Sequence, residues 1–169
     1  MAVDMSLLDR VDCERKGKER FVHLDMELKI DRPVEEVFDL WTDKERSPEW
    51  AAPVLEVRKL TDGPVGVGTQ FLEIARIPGG RVEDIIEITA YEPGRVLDGT
   101  WSGGMEGYWE SRFSEGGDGT MFHLHVDVTP SGLLGRLEPI IGGVVRRAMR
   151  KDIETFKRTV EAQAERGDA

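Results

Sequence analysis

Two carboxylates fall where a sheet protein should bury carbon. In the stretch 81–91, Asp84 shares its alternating phase with Val82, Ile86 and Ile88. Alternation of period two puts all four on one face of a strand. A carboxylate on an apolar phase must be paired or protonated. Asp84 therefore reads either as a wet group at a frayed strand start or as a cavity carboxylate partnered by Arg76 or Arg112. Glu73 poses the same question, because it shares a phase with Phe71, Ala75 and Ile77. The opposite phase, Gln70, Leu72, Ile74 and Arg76, is almost as apolar, so the inward side of this strand stays open. Trp101 precedes a run in which Met105, Trp109 and Phe113 alternate with Glu106, Tyr108, Glu110 and Arg112. Each tryptophan reads as core or as the wall of a cavity. Trp101 and Trp109, on neighbouring strands, are placed to flank a flat ligand.

Other chemistry is scarce. The histidines are His23, His123 and His125. No nucleophile elbow, Walker loop or dinucleotide fingerprint is present, and Gly63-x-x-Gly66-x-Gly68 lacks the required spacing and follows a turn. No cofactor and no metal are expected.

The elements that must position these residues follow from periodicity. Val22, Leu24, Met26, Leu28 and Ile30 alternate with polar residues, which predicts a strand with one wet face. Asp31 or Arg32 then caps a short helix with Pro33 in its first turn and Val34, Val37, Phe38 and Trp41 on its buried side. A second turn or helix passes through Ser47 to Trp50. Six strands follow, at roughly 53–61, 68–77, 81–91, 95–102, 105–114 and 119–129, separated by short Gly, Pro and Asp breaks that predict antiparallel hairpins.

The last element is a helix. Leu134, Leu137, Ile141, Val145, Ala148, Ile153, Phe156 and Val160 step by three or four. That stripe spans roughly 45 Å at helical rise. One long helix behind many strands must lie across a curved sheet. Incomplete closure leaves an apolar cavity, with Leu137, Ile141 and Val145 facing the tryptophans. Pro139 should kink the helix. Gly142 and Gly143 weaken it and make its start a candidate lid. Arg146, Arg147, Arg150 and Lys151 read as a solvated face pairing with Asp152 and Glu154, or as a docking patch for an acidic partner.

The chain has 169 residues and a formal charge of −10. Such a surface repels phosphate backbones and anionic membranes, so nucleic acid is not an expected partner. Cys13 is the lone cysteine, which excludes an intramolecular disulfide. With no secretory segment or long apolar run, a cytoplasmic protein without integral membrane association is expected, as monomer or homodimer. Residues 1–20 read as a flexible extension and 21–165 as one domain.

Several segments resemble a known family. Ile30-Asp31-Arg32-Pro33-Val34-Glu35-Glu36-Val37-Phe38 resembles the entry into the first helix of polyketide cyclase/dehydrase-type proteins, and Trp50 the end of their second. Asp62-Gly63-Pro64-Val65-Gly66-Val67-Gly68-Thr69, Thr89-Ala90-Tyr91-Glu92-Pro93-Gly94 and Gly117-Asp118-Gly119-Thr120 resemble their turns. Gly132-Leu133-Leu134-Gly135-Arg136-Leu137 resembles the entry to their final helix. The resemblance covers 22–163 and implies the α+β helix-grip fold of START-like proteins, with seven antiparallel strands around a long C-terminal helix. It also implies that the first and last strands pair, with Asp25 opposite His125 and Glu27 opposite His123. Acid–imidazole pairs on the outer face are then expected; a His-x-His metal site with Glu27 has permissible spacing but no shield from water. The implied partner is a small hydrophobic ligand, aromatic, polyketide-like or lipid-like. The alternatives are a cyclase, aromatase or dehydratase acting on a bound poly-ketone, and a protein-interaction module. A polar pair deep in the pocket would favour catalysis, and a pocket filled by side chains the interaction module.

Overall fold

The computed structural model describes residues 22–77, 80–130 and 138–167, with side chains in the last segment from 142 to 163. Strand β1 (Val22–Ile30) is followed by α1 (Val34–Thr42) and a 3-10 helix (Lys44–Glu49). Six strands come next: β2 (Val54–Lys59), β3 (Gln70–Ile77), β4 (Gly80–Glu92), β5 (Val96–Gly103), β6 (Met105–Gly116) and β7 (Gly119–Pro130). Helix α2 (Glu138–Gly167) closes the chain. The strands form one antiparallel sheet in the order β1-β7-β6-β5-β4-β3-β2. This is the helix-grip architecture: hairpins built in sequence, with β1 returned to the far edge against β7.

Alternation decides which residues are buried. Val22, Leu24 and Met26 of β1 face inward with Phe122, Leu124, Val126 and Val128 of β7. In β3 the buried phase is Phe71, Glu73 and Ala75, which resolves the side that periodicity leaves open. Pro33 occupies the N-cap of α1 rather than its first turn, and α1 buries Val37, Phe38, Leu40 and Trp41. Trp41 packs edge-on against Phe122 and Phe156 with ring centroids 5.0 Å from each. Its indole N–H donates to Ser111 Oγ at 2.9 Å, and Ser111 donates to the Leu97 carbonyl. A serine on an apolar phase is thus explained by a satisfied buried network.

Helix α2 divides into two halves. Ile153, Phe156 and Val160 are buried against the core. Lys157 Nζ donates to the Lys29 carbonyl at 2.6 Å, and the Asp31 N–H donates to Glu161 Oε1 at 3.0 Å, which pins this half to the end of β1. Further toward the N-terminus, Val145 and Met149 are half-buried and Val144 is 70 % exposed. Pro139 falls in α2 next to residues 131–137, which lie outside the described residues, and with them the turn against which the expected kink would be read. Leu134 and Leu137 lie outside the described residues, as does the extension 1–20.

Candidate functional site

A cavity of about 370 Å³ lies between the sheet and the N-terminal half of α2. That is within the size range of small-molecule sites. The sheet contributes Glu73 and Ala75 from β3, Ile86 from β4, Trp101 from β5, Met105 and Trp109 from β6, and Leu124, Val126 and Val128 from β7. Trp41, Lys44, Ser47 and Trp50 form the side wall, and Val144, Val145, Ala148, Met149 and Ile153 cover it from α2.

Trp101 and Trp109 do not flank a gap. Their ring centroids are 4.5 Å apart, so together they make one continuous aromatic wall. Directly paired strand residues share a face, and Gly99 of β5 sits opposite Trp109 of β6. The Trp109 ring fills the space that a side chain at 99 would need: a Cβ there would overlap the ring carbons of Trp109.

Lys44 is the first residue of the 3-10 helix and is only 5 % exposed. Its ammonium lies 4.2 Å from the centroid of the Trp41 ring and 5.2 Å from that of Trp109. These aromatic faces attract the cation weakly. Burial pushes Lys44 down to about 7, and the charge of Glu73 offsets this only in part. Glu73 is pushed up to about 7 by burial and by the neighbouring Asp84 carboxylate, against the pull of Lys44. The cavity wall therefore holds one base and one acid that both change charge near neutral pH.

Asp84 is not the wet group that a frayed strand start would give, since it is 1 % exposed. It pairs directly across the ladder with Glu73 but does not itself line the cavity. Burial raises its carboxyl, while the N–H groups of Met105 and Gly104 pull it back. Met105 N–H donates to its Oδ1 at 2.7 Å, and Oδ2 has no partner among the described residues. Neither expected arginine reaches it. Arg112 pairs with Asp98 on the outer face, and Arg76 is exposed at the end of β3.

Among the other expected site residues, Met105 and Val145 line the cavity. Phe71 is core, 2 % exposed, and does not. Leu137 and the side chain of Ile141 lie outside the described residues. Lys44, Trp41 and Trp50 are cavity residues that the sequence reading did not assign to a site. A signal for Lys44 existed: steps of three and four carry the buried side of α1 through Val37 and Trp41 to position 44. Its charge masked it.

The outer face of the sheet carries the histidines. The register puts Asp25 opposite His125 and Glu27 opposite His123. The expected Asp25–His125 pair forms, while His123 pairs with Asp25 rather than with Glu27. Asp25 accepts from both His123, at 2.9 Å, and His125, at 3.3 Å, because a diagonal neighbour is also within reach. Asp127 accepts from His23 at 2.7 Å and from Tyr108 at 2.8 Å. Burial alone would raise these two carboxyls, but their hydrogen bonds to the imidazoles and, for Asp127, to Tyr108 hold both below the usual range. His23, Asp25 and His125 could offer ligand atoms to a metal, all within 4.8 Å of one another. On α2, Arg146, Arg147, Arg150 and Lys151 are exposed. Asp152 accepts from the Ala52 N–H at 3.2 Å, in place of the expected pairing within that basic face.

The comparisons agree with this geometry. Residues 22–161 match the family model described as polyketide cyclase / dehydrase and lipid transport, and the chain belongs to that family. No curated protein matches by sequence. Among solved structures, the Zhui aromatase/cyclase from Streptomyces sp. R1128 is similar at TM-score 0.69 and 16% identity, covering 84% of this chain and 94% of that one. A START superfamily protein from Mycobacterium smegmatis is similar at TM-score 0.64 and 16% identity, covering 85% and 97%. A protein from Thermus thermophilus reaches TM-score 0.66 at 17% identity, covering 87% and 99%. At such identities the likeness is one of fold. Among the described residues, no helix is long and apolar enough to cross a membrane.

Proposed function

We propose that the chain binds a small hydrophobic molecule, aromatic or polyketide-like, in the cavity between the sheet and α2. The carrying observation is the cavity itself: about 370 Å³ left open beside a core that is otherwise packed with aromatic rings. Cavities of that size cost stability, so a fold with no ligand to hold would gain by filling it. The interaction-module reading loses support for the same reason, because it calls for a pocket filled by side chains. Native mass spectrometry of protein purified from its own host tests the proposal. A retained small molecule, with tryptophan quenching when a naphthalene probe is added, is the expected result. An empty protein whose fluorescence ignores the probe would overturn it.

A second reading is favoured by Lys44 and Glu73. A deep polar pair is what proton transfer at a ketone requires. General acids and bases work best with pKa near the operating pH, and both groups sit at about 7. In a cyclase-type step one group takes the proton α to a carbonyl while the ammonium steadies the enolate oxygen. Exchange of the methyl protons of acetophenone in D2O, followed by NMR, checks this: catalysed exchange should be lost in Glu73→Gln. Exchange no faster than in a protein-free buffer would refute it.

A further inference from the structure

We infer that Lys44 is the anchor for an ionised oxygen on the ligand, so that the cavity selects hydrophobic molecules carrying a carboxylate or phenolate over neutral ones of the same shape. This rests on the cavity being a ligand site, as proposed above, and adds the chemistry of one end of that ligand.

The argument begins with what Lys44 lacks. A buried ammonium ordinarily has a carboxylate within hydrogen-bond reach. Among the described residues, no carboxylate lies within 4.0 Å of the Lys44 nitrogen, and the facing acid, Glu73, acts on it only at longer range. Two indole faces hold the cation instead. Lys44 thus lines the cavity as a cation with no carboxylate in hydrogen-bond reach, and a ligand that brings anionic oxygen supplies that partner.

The charged groups around Lys44 set the pH response. From β3 come Glu73 and Arg76, from α2 comes Asp152, and Asp84 of β4 stands behind Glu73. An anion beside Lys44 favours the charged amine and the neutral form of Glu73, both of which are the protonated states. Asp152 is also raised by burial and shifts in the same direction. Anion binding is then coupled to proton uptake, and affinity falls as pH rises through neutrality.

The test compares 2-naphthoate with its neutral isostere 2-naphthamide by calorimetry in buffers of different ionisation enthalpy. A second arm uses 4-nitrophenol, whose phenolate absorbance reports ionisation in the site. The wild-type protein should bind naphthoate about tenfold more tightly than the amide, as expected for a charge-assisted hydrogen bond. It should take up protons on doing so, or should raise the phenolate fraction of nitrophenol. Lys44→Met keeps the volume and removes a buried charge, a change that cores tolerate. It should bind both naphthalenes equally and leave nitrophenol unshifted. Glu73→Gln should keep the preference and reduce proton uptake. Equal binding of the two naphthalenes by the wild type, with nitrophenol unshifted, overturns the inference and leaves the ligand cavity standing. A preference that survives in Lys44→Met also overturns it. Failure of every probe, neutral and anionic, to bind removes both proposals.

Discussion

Glu73→Gln should abolish a loss of stability that the wild-type protein suffers as pH rises toward neutrality. The folded value of Glu73, about 7, lies above its ordinary 4.5. Between those values the folded state keeps the proton and the unfolded chain releases it, so stability falls as pH climbs through that window. The shift corresponds to about 3 kcal/mol at about 1.4 kcal/mol per pH unit, fully present above about pH 7. Lys44 runs the other way. Its folded value is depressed from 10.5 to about 7, so its cost is complete below 7 and is relieved as pH rises toward 10.5. The wild type should therefore show a stability minimum near neutral pH. Glutamine copies the protonated acid without titrating, and Asp84 is common to both proteins. Urea unfolding, read by tryptophan fluorescence, gives the two stabilities as functions of pH. The advantage of Glu73→Gln should grow by about 2–3 kcal/mol between about pH 5 and pH 7.5. If it stays constant within about 0.5 kcal/mol, Glu73 is ionised and hydrated in the folded protein, and the account of the acid–base pair is wrong.

Three further outcomes are expected. Gly99→Ala should cost about 1–3 kcal/mol by overpacking and should change the emission of Trp109, whose ring occupies the space of the new methyl group; an unchanged melting temperature and spectrum would refute that packing. Zinc titration should leave the melting temperature nearly unchanged, because His23, His123 and His125 are already held by Asp25 and Asp127; a stoichiometric rise of several degrees that His125→Ala removes would establish a metal site instead. Gly143→Ala should stabilise α2 by up to about 1 kcal/mol, since a Cβ there would meet only Arg146 Nη2 at 3.9 Å. If this half of α2 is a lid, the same change should slow entry of a naphthalene probe more than it weakens final affinity, as stopped-flow quenching would show; an unchanged entry rate would sink the lid.

Strands were legible where one phase is apolar and the other charged. Val22 to Ile30 is such a strand, and its partner Phe122 to Val128 is another, so both the edge pairing and the buried face follow. In β3 both phases carry large apolar residues, and local alternation has nothing to choose between. The choice is made across the ladder: Phe71 pairs with Ile86, and Glu73 with Asp84. Paired residues share a face, so the clear phase of β4 dictates the ambiguous phase of β3. The stripe of α2 was legible as a stripe, but periodicity does not say how far a helix stays in contact. Only Ile153, Phe156 and Val160 are buried among the stripe's described residues, and Val144 turns an apolar surface outward beside the cavity.

The site was half legible for a physical reason. Glu73 and Asp84 break a pattern, a carboxylate on an apolar phase, while Lys44 sits just past the end of α1, where its charge hides the helical spacing that leads to it. The three belong together energetically. Replacing a buried charge by carbon of the same volume is neutral or stabilising in most proteins, and filling a cavity is stabilising as well. A sequence shaped by stability alone would place a leucine at 44, carbon at 73 and a larger side chain against Trp101. Here a cation with no carboxylate in hydrogen-bond reach, a raised acid and an unfilled volume all occur around one cavity. Departures from local rules that cluster in one place mark the part of a fold that is kept for something other than stability. In this chain they cluster at the proposed ligand site, between Lys44, Glu73 and the paired rings of Trp101 and Trp109.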